Sequence, residues 1–571
     1  SSSNVGESGV TLEHEKKNDC DSAQVRDTEA QSEIDREIKK AIASRIRILK
    51  VIVKGGRKVP ESRTEAERDR GLWPKWLEAE KTELSSFSKL KVWELVPRPR
   101  GKNVIKVRWV YDVKLDDNFD IIRHKARLVA KGFTQKEGID YNETFAPTMH
   151  IKTMRVLLAL AAHDDVDAYQ YDVSTAFLHA SLEEETYVEQ PPGHINPDFP
   201  DHVYKLNKAM YGLKNAPRAW SDHLMGILGD LGYTQSTKDD CLWSKWSGKK
   251  YAHLLFHVDD MLCVSNDAQF REKCYLELKS NLDENLKDEG VVSIFLGVRV
   301  TRLPGGGFAL DQKHYIEKLA ERFNITDDGR KVDHPHEYGK PGELSKEQLP
   351  KTLDEKRYAA QLEYQALVGS LLYATKTRVD IQYAVSDVAR FMCGWGKAHW
   401  KAAIRILRYL YSTRERALLI TKSESPTMVL ACYADANYGD ERESDPKVND
   451  DKWKSQGGYL MFVGGSLVSW SSRRHKCRTL SSMEAEYVEG SEASKEVVWL
   501  RSILEELGHK QLAPTIMHED NKACIAFSKN NTCHNRTKHI DIRAYALRDR
   551  VREGTLVLNY IDTKDQLADM L

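Results

Sequence analysis

The sequence has no long hydrophobic run, no net charge and no clustered cysteine motif. No stretch of its 571 residues approaches the ~18–20 uninterrupted apolar residues of a membrane-spanning helix, and the mean hydropathy is -0.57. The start, Ser-Ser-Ser-Asn-Val-Gly-Glu, lacks the basic and apolar segments of a secretion signal. Because it also lacks Met, we expect a fragment or a processed product. No membrane partner is expected.

The absence of net charge, 86 Lys and Arg against 86 Asp and Glu, argues by itself against a nucleic-acid-binding protein. The charge is nevertheless unevenly distributed. Residues 1–36 hold nine acids and four bases, residues 39–70 hold four acids and eleven bases, and residues 101–132 hold four acids and eight bases. Residues 1–70 are interpreted as a disordered linker, acidic and then basic, whose basic part is either a solvated helix and tail or an arm facing nucleic acid. Since phosphate binding depends on local charge, salt-sensitive binding remains expected.

Nine cysteines are scattered along the chain without a C-x-x-C pair, which is typical of free thiols in a reducing compartment. One group has metal-ligand residue types, and its spacing matches no familiar zinc module: Cys524, Cys533, His534 and His539. Zinc is therefore disfavoured.

The length predicts two to four domains, because one hydrophobic core seldom supports 571 residues. Folded character begins near Gly71, and β-rich segments follow between Val104 and Val129. Apolar periodicity predicts helices over Met154–His163, 361–375 and 398–412. A second pattern of strands and helices begins at Met428, so the fold class is predicted to be α+β.

Two features of the first half carry acids at the ends of apolar strands. Asp172 ends one such strand, and Asp259 and Asp260 occupy the tip of an apolar hairpin. Alternation would send Asp259 and Asp260 to opposite faces unless the turn redirects one of them. Adjacent carboxylates in apolar surroundings need a cation, and oxygen ligands suit Mg²⁺ or Mn²⁺. A pair of acids in a turn is otherwise ordinary turn chemistry.

The second half has four acids at strand ends or helix starts: Asp435, Glu484, Asp520 and Asp569. Together they could converge on a two-metal site for phosphodiester hydrolysis, whereas each one alone is better interpreted as a helix cap or a solvated acid.

Several ordered segments closely resemble the reverse transcriptase of copia-type LTR retrotransposons. They are Arg108-Trp109-Val110, Lys125–Gln135, Tyr141–Pro147, Asp172–Leu178, Tyr211–Trp220 and His257-Val258-Asp259-Asp260. A second set resembles the RNase H domain that follows this polymerase: Tyr433–Ala436, Ser469–Ser472, Ser481–Tyr487, Asp520-Asn521-Lys522, Lys538–Asp541 and Ala568-Asp569. The resemblance covers about residues 70–571.

The resemblance implies a right-hand polymerase followed by an α/β RNase H-like domain. Fingers and palm would span residues 71–300, the thumb and connection 301–428, and RNase H 429–571. Asp172, Asp259 and Asp260 would bind the catalytic metals, with the Val173 carbonyl as a further ligand. Asp435, Glu484, Asp520 and Asp569 match the catalytic and metal-binding positions of RNase H.

The same resemblance implies the substrate-binding residues. Lys125 and Arg127 on the fingers hairpin resemble a triphosphate clamp, for which Arg suits bidentate contact. Phe177 takes the position of the aromatic gate that selects dNTPs over rNTPs. Gly212 would allow close approach of the backbone to template and primer. Phe295, Leu296 and Gly297 resemble the primer grip, and Lys287 would act near the leaving pyrophosphate.

One position departs from the family pattern. His257 stands where most relatives have Tyr, and we expect altered kinetics without loss of activity. The implied partners are an RNA template, a DNA or RNA primer and the RNA–DNA hybrid, with a pair of Mg²⁺ ions (or Mn²⁺) at each site. A homodimer is a further expectation, as is a cytoplasmic location in virus-like particles or a nuclear one. Two alternatives remain open: a domesticated scaffold that binds nucleic acid without catalysis, and a nuclease only.

Overall fold

The computed structural model describes residues 53–54, 57–115, 121–327, 331–336, 344–423, 425–438, 454–529 and 542–571. Several sequence-based interpretations fall outside these residues. They are the acidic linker 1–36, the first part of the basic segment, the Lys538–Asp541 motif and three of the four candidate zinc ligands, Cys533, His534 and His539.

A six-stranded antiparallel sheet forms the centre of the first half. Its spatial order is β10-β11-β12-β13-β7-β14, so β7 (Ala168–Val173) lies between β13 (Asp260–Ser265) and β14 (Leu286–Val291). The remaining strands are β10 (Thr234–Gln235), β11 (Leu242–Ser247) and β12 (Lys250–His257). Strands β12 and β13 are apolar almost throughout, because helices cover the sheet. The helices Ala216–Asp230 and Ala268–Asn281 belong to this layer.

A long hairpin, β5 (Val107–Leu115) with β6 (Ile121–Ala130), and a four-stranded sheet of order β3-β9-β8-β4 form a further β-rich part of the first half. The strands of that sheet are β3 (Trp93–Val96), β4 (Val104–Ile105), β8 (Ser181–Val188) and β9 (Val203–Lys208). The helix Trp73–Lys89 packs on β6 and buries Trp76 and Phe87. The short helix Arg63–Arg68 and the two-residue strands β1 (Val53–Lys54) and β2 (Arg57–Lys58) precede it.

A sheet of order β15-β16-β17-β18 connects the first half to a helical region. Its strands are β15 (Ile294–Phe295), β16 (Val298–Arg302), β17 (Phe308–Asp311) and β18 (Leu418–Ile420). The helices between β17 and β18 build a separate hydrophobic core from residues between Ile316 and Leu410. These helices are Lys313–Arg322, Leu353–Ala360, Tyr364–Ala374, Gln382–Ala389 and Lys397–Ser412.

The last part of the chain folds into a five-stranded mixed sheet of order β21-β20-β19-β22-β23. Strands β19 (Leu430–Asn437), β20 (Gln456–Val463) and β21 (Ser466–Arg474) are antiparallel, whereas β22 (Thr515–Glu519) and β23 (Leu556–Tyr560) run parallel to β19. Helices Ser482–Glu506, Lys522–Lys529 and Ile542–Arg552 complete this unit. The expected α+β class is confirmed.

The helix Ile151–His163 joins the two halves. All its residues from Thr153 to Ala162 are buried, because it packs between the six-stranded sheet and β21. The guanidinium of Arg155 donates to the carbonyl of Val468 at 2.7 Å and lies 3.8 Å from the Trp470 ring centroid. The two sheets therefore share one continuous hydrophobic core.

Among the helices that the structure describes, none is long and apolar enough to cross a membrane.

Candidate active sites

The first cluster of acids lies where β7 and β13 meet the tip of the β12–β13 hairpin. Asp172 on β7 and Asp260 on β13 are register partners in the antiparallel ladder. His257 pairs with Asp260 and closes a two-residue turn that contains Asp259. The backbone amide of Val173 donates to the carbonyl of Asp259 at 3.0 Å. The structure thus brings the three predicted acids of the first half together.

The turn between the two strands has a strained backbone. Val258 has a φ of +60°, a region that a β-branched residue rarely adopts and that hairpin turns usually give to Gly or Asn. The indole of Trp220, which is fully buried, donates to the Val258 carbonyl at 2.6 Å. This tryptophan comes from the first turns of the helix Ala216–Asp230. The segment Tyr211–Trp220, which carries part of the family resemblance, therefore supplies an anchor for this turn.

The electrostatics of this cluster combine burial, like charge and two lysines. Burial raises the pKa values of Asp172 and Asp260, and the charge of Asp259 raises both further. Lys287 on β14 pairs with Asp172 in the sheet. The charges of Lys287 and of Lys125 on β6 both lower the pKa of Asp172. The cluster is consequently acidic but partly balanced by cations.

The candidate nucleotide-binding residues form a wall beside this cluster. The Arg127 guanidinium lies 5.6 Å from the Tyr211 ring centroid, and the half-buried Phe177 contacts the same ring edge-on, with centroids 5.2 Å apart. Glu83 accepts a hydrogen bond from the Leu128 amide. Burial raises the pKa of Glu83 to about 6, although Arg127 and Lys125 act to lower it.

Gly212 contacts the hairpin formed by β5 and β6. It has a φ of +90°, and a Cβ there would collide with the Ala130 carbonyl at the end of β6. The Ala130 amide donates to the Tyr211 carbonyl at 2.8 Å, which holds the two segments together. The described structure thus requires glycine here for packing of the chain against itself.

The candidate primer grip is the turn between β15 and β16. Phe295 pairs with Val298, and the two central residues, Leu296 and Gly297, have φ values of +49° and +72°, as in a type I′ turn. The hydroxyl of Tyr373 donates to the Leu296 carbonyl at 2.5 Å, and a Cβ at Gly297 would collide with that hydroxyl. Phe295 is fully buried. A tyrosine of the helical region therefore holds this turn.

The second cluster lies at one edge of the five-stranded sheet. Asp435 on β19, Asp520 after β22 and Glu486 on the long helix have carboxylate oxygens within 4.8 Å of one another. The carboxyl group of Asp569, in the short helix Leu567–Met570, shares a hydrogen bond with Asp435. Three of the four acids predicted for this half therefore meet here.

The glutamate in this cluster is Glu486 and not the predicted Glu484. Glu484 stands three residues after the N-cap Ser481, donates its amide to the Ser481 hydroxyl, and accepts from the Leu480 amide at 2.6 Å. It therefore takes the position and contacts of a capping residue. Because residues advance by about 100° around a helix, Glu484 and Glu486 lie on nearly opposite sides. The sequence motif correctly located the start of the helix. The direction in which each side chain leaves the helix places Glu486, and not Glu484, in the cluster.

Sequence reasoning missed a fifth acid, Glu519 at the end of β22. It is fully buried and lies next to Asp520, and burial followed by the Asp520 and Asp435 charges raises its pKa. Burial also raises the pKa of Asp435, and the charge of Asp569 raises it further. In the same way, burial and then the charge of Glu519 raise the pKa of Glu486. The sequence did contain a signal for this acid, because Glu519 is the last residue of strand β22 and directly precedes Asp520.

The donors of both clusters fit hard divalent cations. All are carboxylate oxygens, the ligands that Mg²⁺ and Mn²⁺ prefer. Among the residues that the structure describes, one oxygen of Glu486 and one of Glu519 are buried and have no hydrogen-bond partner. A buried, unsatisfied carboxylate oxygen is costly, and a bound cation would satisfy it.

Comparison with known proteins places the chain in a family. The sequence profile described as reverse transcriptase (RNA-dependent DNA polymerase) matches residues 90–336. Over 498 residues the chain is 39% identical to the retrovirus-related Pol polyprotein from transposon TNT 1-94 of Nicotiana tabacum, covering 87% of this chain and 36% of that protein. It is 34% identical over 500 residues to the corresponding polyprotein from transposon RE1 of Arabidopsis thaliana, covering 87% and 32%.

A shorter relative is matched along its whole length. The putative transposon Ty5-1 protein of Saccharomyces cerevisiae is 32% identical over 328 residues, which cover 57% of this chain and 100% of that protein. The chain spans about a third of the length of the two plant polyproteins. From the ordered motifs, the two acidic clusters and these relatives, the chain belongs to the reverse transcriptase family of copia-type retrotransposon Pol polyproteins.

Proposed function

We propose that the chain is an RNA-directed DNA polymerase with a second site that cleaves the RNA strand of RNA–DNA hybrids. The observation that carries the proposal is the pairing of Asp172 with Asp260 on neighbouring strands, with Asp259 in the turn that joins β12 to β13. Three convergent carboxylates beside cationic side chains are what phosphoryl transfer requires of a protein.

Asp172, Asp259 and Asp260, with the Val173 carbonyl, would hold Mg²⁺ or Mn²⁺ at the polymerase site. Such ions, when bound, lower the pKa of the primer 3′-hydroxyl and neutralise charge on the phosphates. The protein itself contributes position. The Trp220 indole and the Val173 amide fix the backbone of the turn, so the acids are arranged before substrate binds.

The proposed substrates are dNTPs. Lys125 and Arg127 on β6 would contact the triphosphate, and Lys287 would neutralise charge on the leaving pyrophosphate. The ring of Phe177, held against Tyr211, would exclude a 2′-hydroxyl by steric contact. Gly212 would act indirectly, by allowing β6 to approach Tyr211.

The second site would hydrolyse the RNA strand with Asp435, Glu486, Asp520 and Asp569 around divalent ions. Its acids come from one edge of the sheet and from two helices, Ser482–Glu506 and Leu567–Met570, and their repulsion without cations favours metal binding. The hybrid would be recognised through backbone shape and 2′-hydroxyl groups, so broad sequence tolerance is expected.

The remaining assignments belong to the same proposal. Residues 71–300 would form fingers and palm, 301–428 the thumb and connection, and 429–571 the RNase H domain. The turn Phe295–Gly297 would grip the primer. The partners would be an RNA template and a DNA or RNA primer. A homodimer, and a cytoplasmic location in virus-like particles or a nuclear one, are part of the proposal too.

Primer extension on an RNA template with Mg²⁺ tests the polymerase. Asp259→Asn should reduce extension by at least about a thousandfold, because it removes a metal-binding charge. Asp230→Asn, at an exposed helix end, is the matched control and should extend like wild type. Absence of extension by wild type would refute the proposal.

Hybrid cleavage with Glu486→Gln and Glu484→Gln tests the second site. Glu486→Gln should abolish cleavage, whereas Glu484→Gln should retain it, since the amide oxygen of Gln can also accept from the Leu480 amide. Loss of cleavage in Glu484→Gln, with retention in Glu486→Gln, would return the assignment to Glu484.

A further inference from the structure

A cavity of about 400 Å³ lies beside the turn that joins β12 to β13, between the first half and the helical region. It is bounded by the end of β12, the turn between β15 and β16, the start of the helix Ile151–His163 and the end of the helix Tyr364–Ala374. Its lining includes Met149, Ile151, His257, Leu296, Tyr373 and Lys376. The walls are mainly apolar, with two nitrogen-bearing side chains among them.

Lys376 provides an unneutralised cation in this cavity. Its ammonium lies 4.5 Å from the Tyr373 ring centroid, and no carboxylate pairs with it among the residues that the structure describes. Burial and the nearby Arg155 lower the pKa of Lys376. A half-buried cation without a counter-ion is unfavourable, and an anion that enters the cavity would relieve it.

The position of Lys376 is fixed by its backbone. Its carbonyl accepts a hydrogen bond at 2.5 Å from the Arg155 guanidinium, which also holds the carbonyl of Val468. The adjacent Tyr373 holds the Leu296 carbonyl through its hydroxyl. The lysine is thus tied to the same frame that positions the turn between β15 and β16.

His257 supplies the second polar group. Its Nδ1 is buried and has no hydrogen-bond partner within the described part of the chain, and the residue lies two positions before Asp259. His257 and Lys376 both line the cavity, so the two side chains face the same space. A cation, an unsatisfied ring nitrogen and apolar walls together suit a nucleotide unit, which has a phosphate, polar edges and an apolar sugar face.

We infer that this cavity binds the last backbone phosphate of the primer strand, and that Lys376 is the residue that contacts it. The inference rests on the proposed polymerase function and adds a phosphate contact from the helical region to it. His257 would donate or accept a hydrogen bond at the same nucleotide, and Met149, Ile151 and Leu296 would face its sugar. Lys376 would then link the helical region to the primer end.

Equilibrium binding of an RNA–DNA template–primer, followed by fluorescence anisotropy without divalent ions at several salt concentrations, tests this contact. Lys376→Met should weaken binding about tenfold and reduce the slope of log K against log salt by about one, because one phosphate contact is lost. Lys376→Arg should restore both values. Lys249→Met, at an exposed hairpin turn, should change neither.

A primer with one neutral methylphosphonate linkage locates the phosphate. With the linkage next to the 3′ end, wild type should lose affinity and Lys376→Met should lose no more. With the linkage six nucleotides away, Lys376→Met should still weaken binding. Equal salt slopes for wild type and Lys376→Met, or a loss independent of the linkage position, would overturn the inference.

Failure of this inference is distinguishable from failure of the polymerase proposal. Wild type that binds and extends the primer while Lys376→Met binds equally well would refute the contact alone. Wild type that binds but never extends would refute the polymerase and leave the contact to be judged on the binding data. Equal thermal midpoints for wild type and Lys376→Met establish that the variant is folded.

Discussion

The two acidic clusters use the same side chains in different structural settings. In the first, antiparallel partners on β7 and β13 and a strained turn carry the acids, and Lys125 and Lys287 reduce the repulsion at Asp172. In the second, strand β19, the residue that follows β22 and two helices carry the acids, and neighbouring carboxylates increase the repulsion at Asp435. Among described residues, the second cluster alone brings three acid oxygens within 4.8 Å of one another.

The difference indicates two ways to prepare a site for cations. The first cluster is balanced by basic side chains and stores strain in its backbone, so its geometry depends on the turn. The second stores electrostatic repulsion, so its stability depends on what binds there. Replacements that change one of these properties should therefore affect the two regions unequally.

The largest effect is expected from neutralising one acid in each cluster. Asp435→Asn should abolish hybrid cleavage and, without metal, stabilise the protein by about 1–2 kcal/mol, because it relieves repulsion. Asp172→Asn should abolish extension and stabilise the protein by a smaller amount, since two lysines already balance the charge of that acid. Thermal unfolding in EDTA measures both gains.

Metal addition provides the control for that comparison. Mg²⁺ should raise the unfolding midpoint of wild type by mass action, and Asp435→Asn should respond less. An equal gain in EDTA for the two Asn variants would contradict the distinction between a balanced and an unbalanced cluster.

Arg155→Met should uncouple the two regions. The side chain is 4% exposed and donates to the Val468 carbonyl on β21 and to the Lys376 carbonyl of the helical region, so its loss leaves acceptors unpaired and costs about 2–4 kcal/mol. Primer extension and hybrid cleavage should each persist on separate substrates. The cleavage position relative to the primer end should become heterogeneous, as seen on a sequencing gel.

Lys152→Met is the matched change on the same helix. Its partly buried ion pair with Glu496, at 2.8 Å, should contribute about 1 kcal/mol or less, and the cleavage position should stay sharp. Sharp cleavage by Arg155→Met would show that other contacts maintain the interface.

Val258→Gly tests the strained turn of the first cluster. Gly adopts a φ of +60° without strain, but it also gains freedom in the unfolded chain, so stability should change by less than about 1 kcal/mol. Extension should fall about three- to tenfold because Asp259 is held less firmly, while hybrid cleavage stays unchanged. Unaltered single-turnover extension would remove any role for the strain.

Glu83, beside the cations of the first region, should affect the pH dependence of stability. Its folded pKa of about 6 lies above the ordinary 4.5, so its favourable contribution is present below pH 4.5 and is lost as pH rises through 6. Glu83→Gln keeps an acceptor for the Leu128 amide and should equal wild type at pH 4.5. At pH 8 it should be more stable by about 2 kcal/mol. Thermal midpoints across this pH range measure the difference, and a constant offset at every pH would contradict it.

The comparison between regions also separates what could be predicted from what could not. Apolar runs ending in acids predicted the strands of both clusters, because burial and strand ends are local properties of sequence. The prediction of Asp435 at the end of its strand was short by two residues, since β19 continues to Asn437. Strand ends depend on the neighbouring strand, here β20, whose pairing extends through Gln456.

Glu484 shows the limit of motif spacing. The segment Ser481–Tyr487 contains two glutamates, and only the packing of the helix against β19 decides which one faces Asp435 and Asp520. The role of Gly212 in the packing of β6, and the cavity at Lys376, depend equally on segments far apart in the chain. A local sequence pattern cannot predict these contacts between segments that are distant in the chain.

The sequence by itself determined the family, the α+β class, the order of the elements and the acids available at each strand end, because these follow from residue types, periodicity and ordered motifs. The tertiary structure decided which acids meet, which turn is strained and that Lys376 has no carboxylate partner among the described residues. The physical reason is that carboxylate repulsion, burial and hydrogen bonding act over a few ångströms in space, and chain separation does not set those distances.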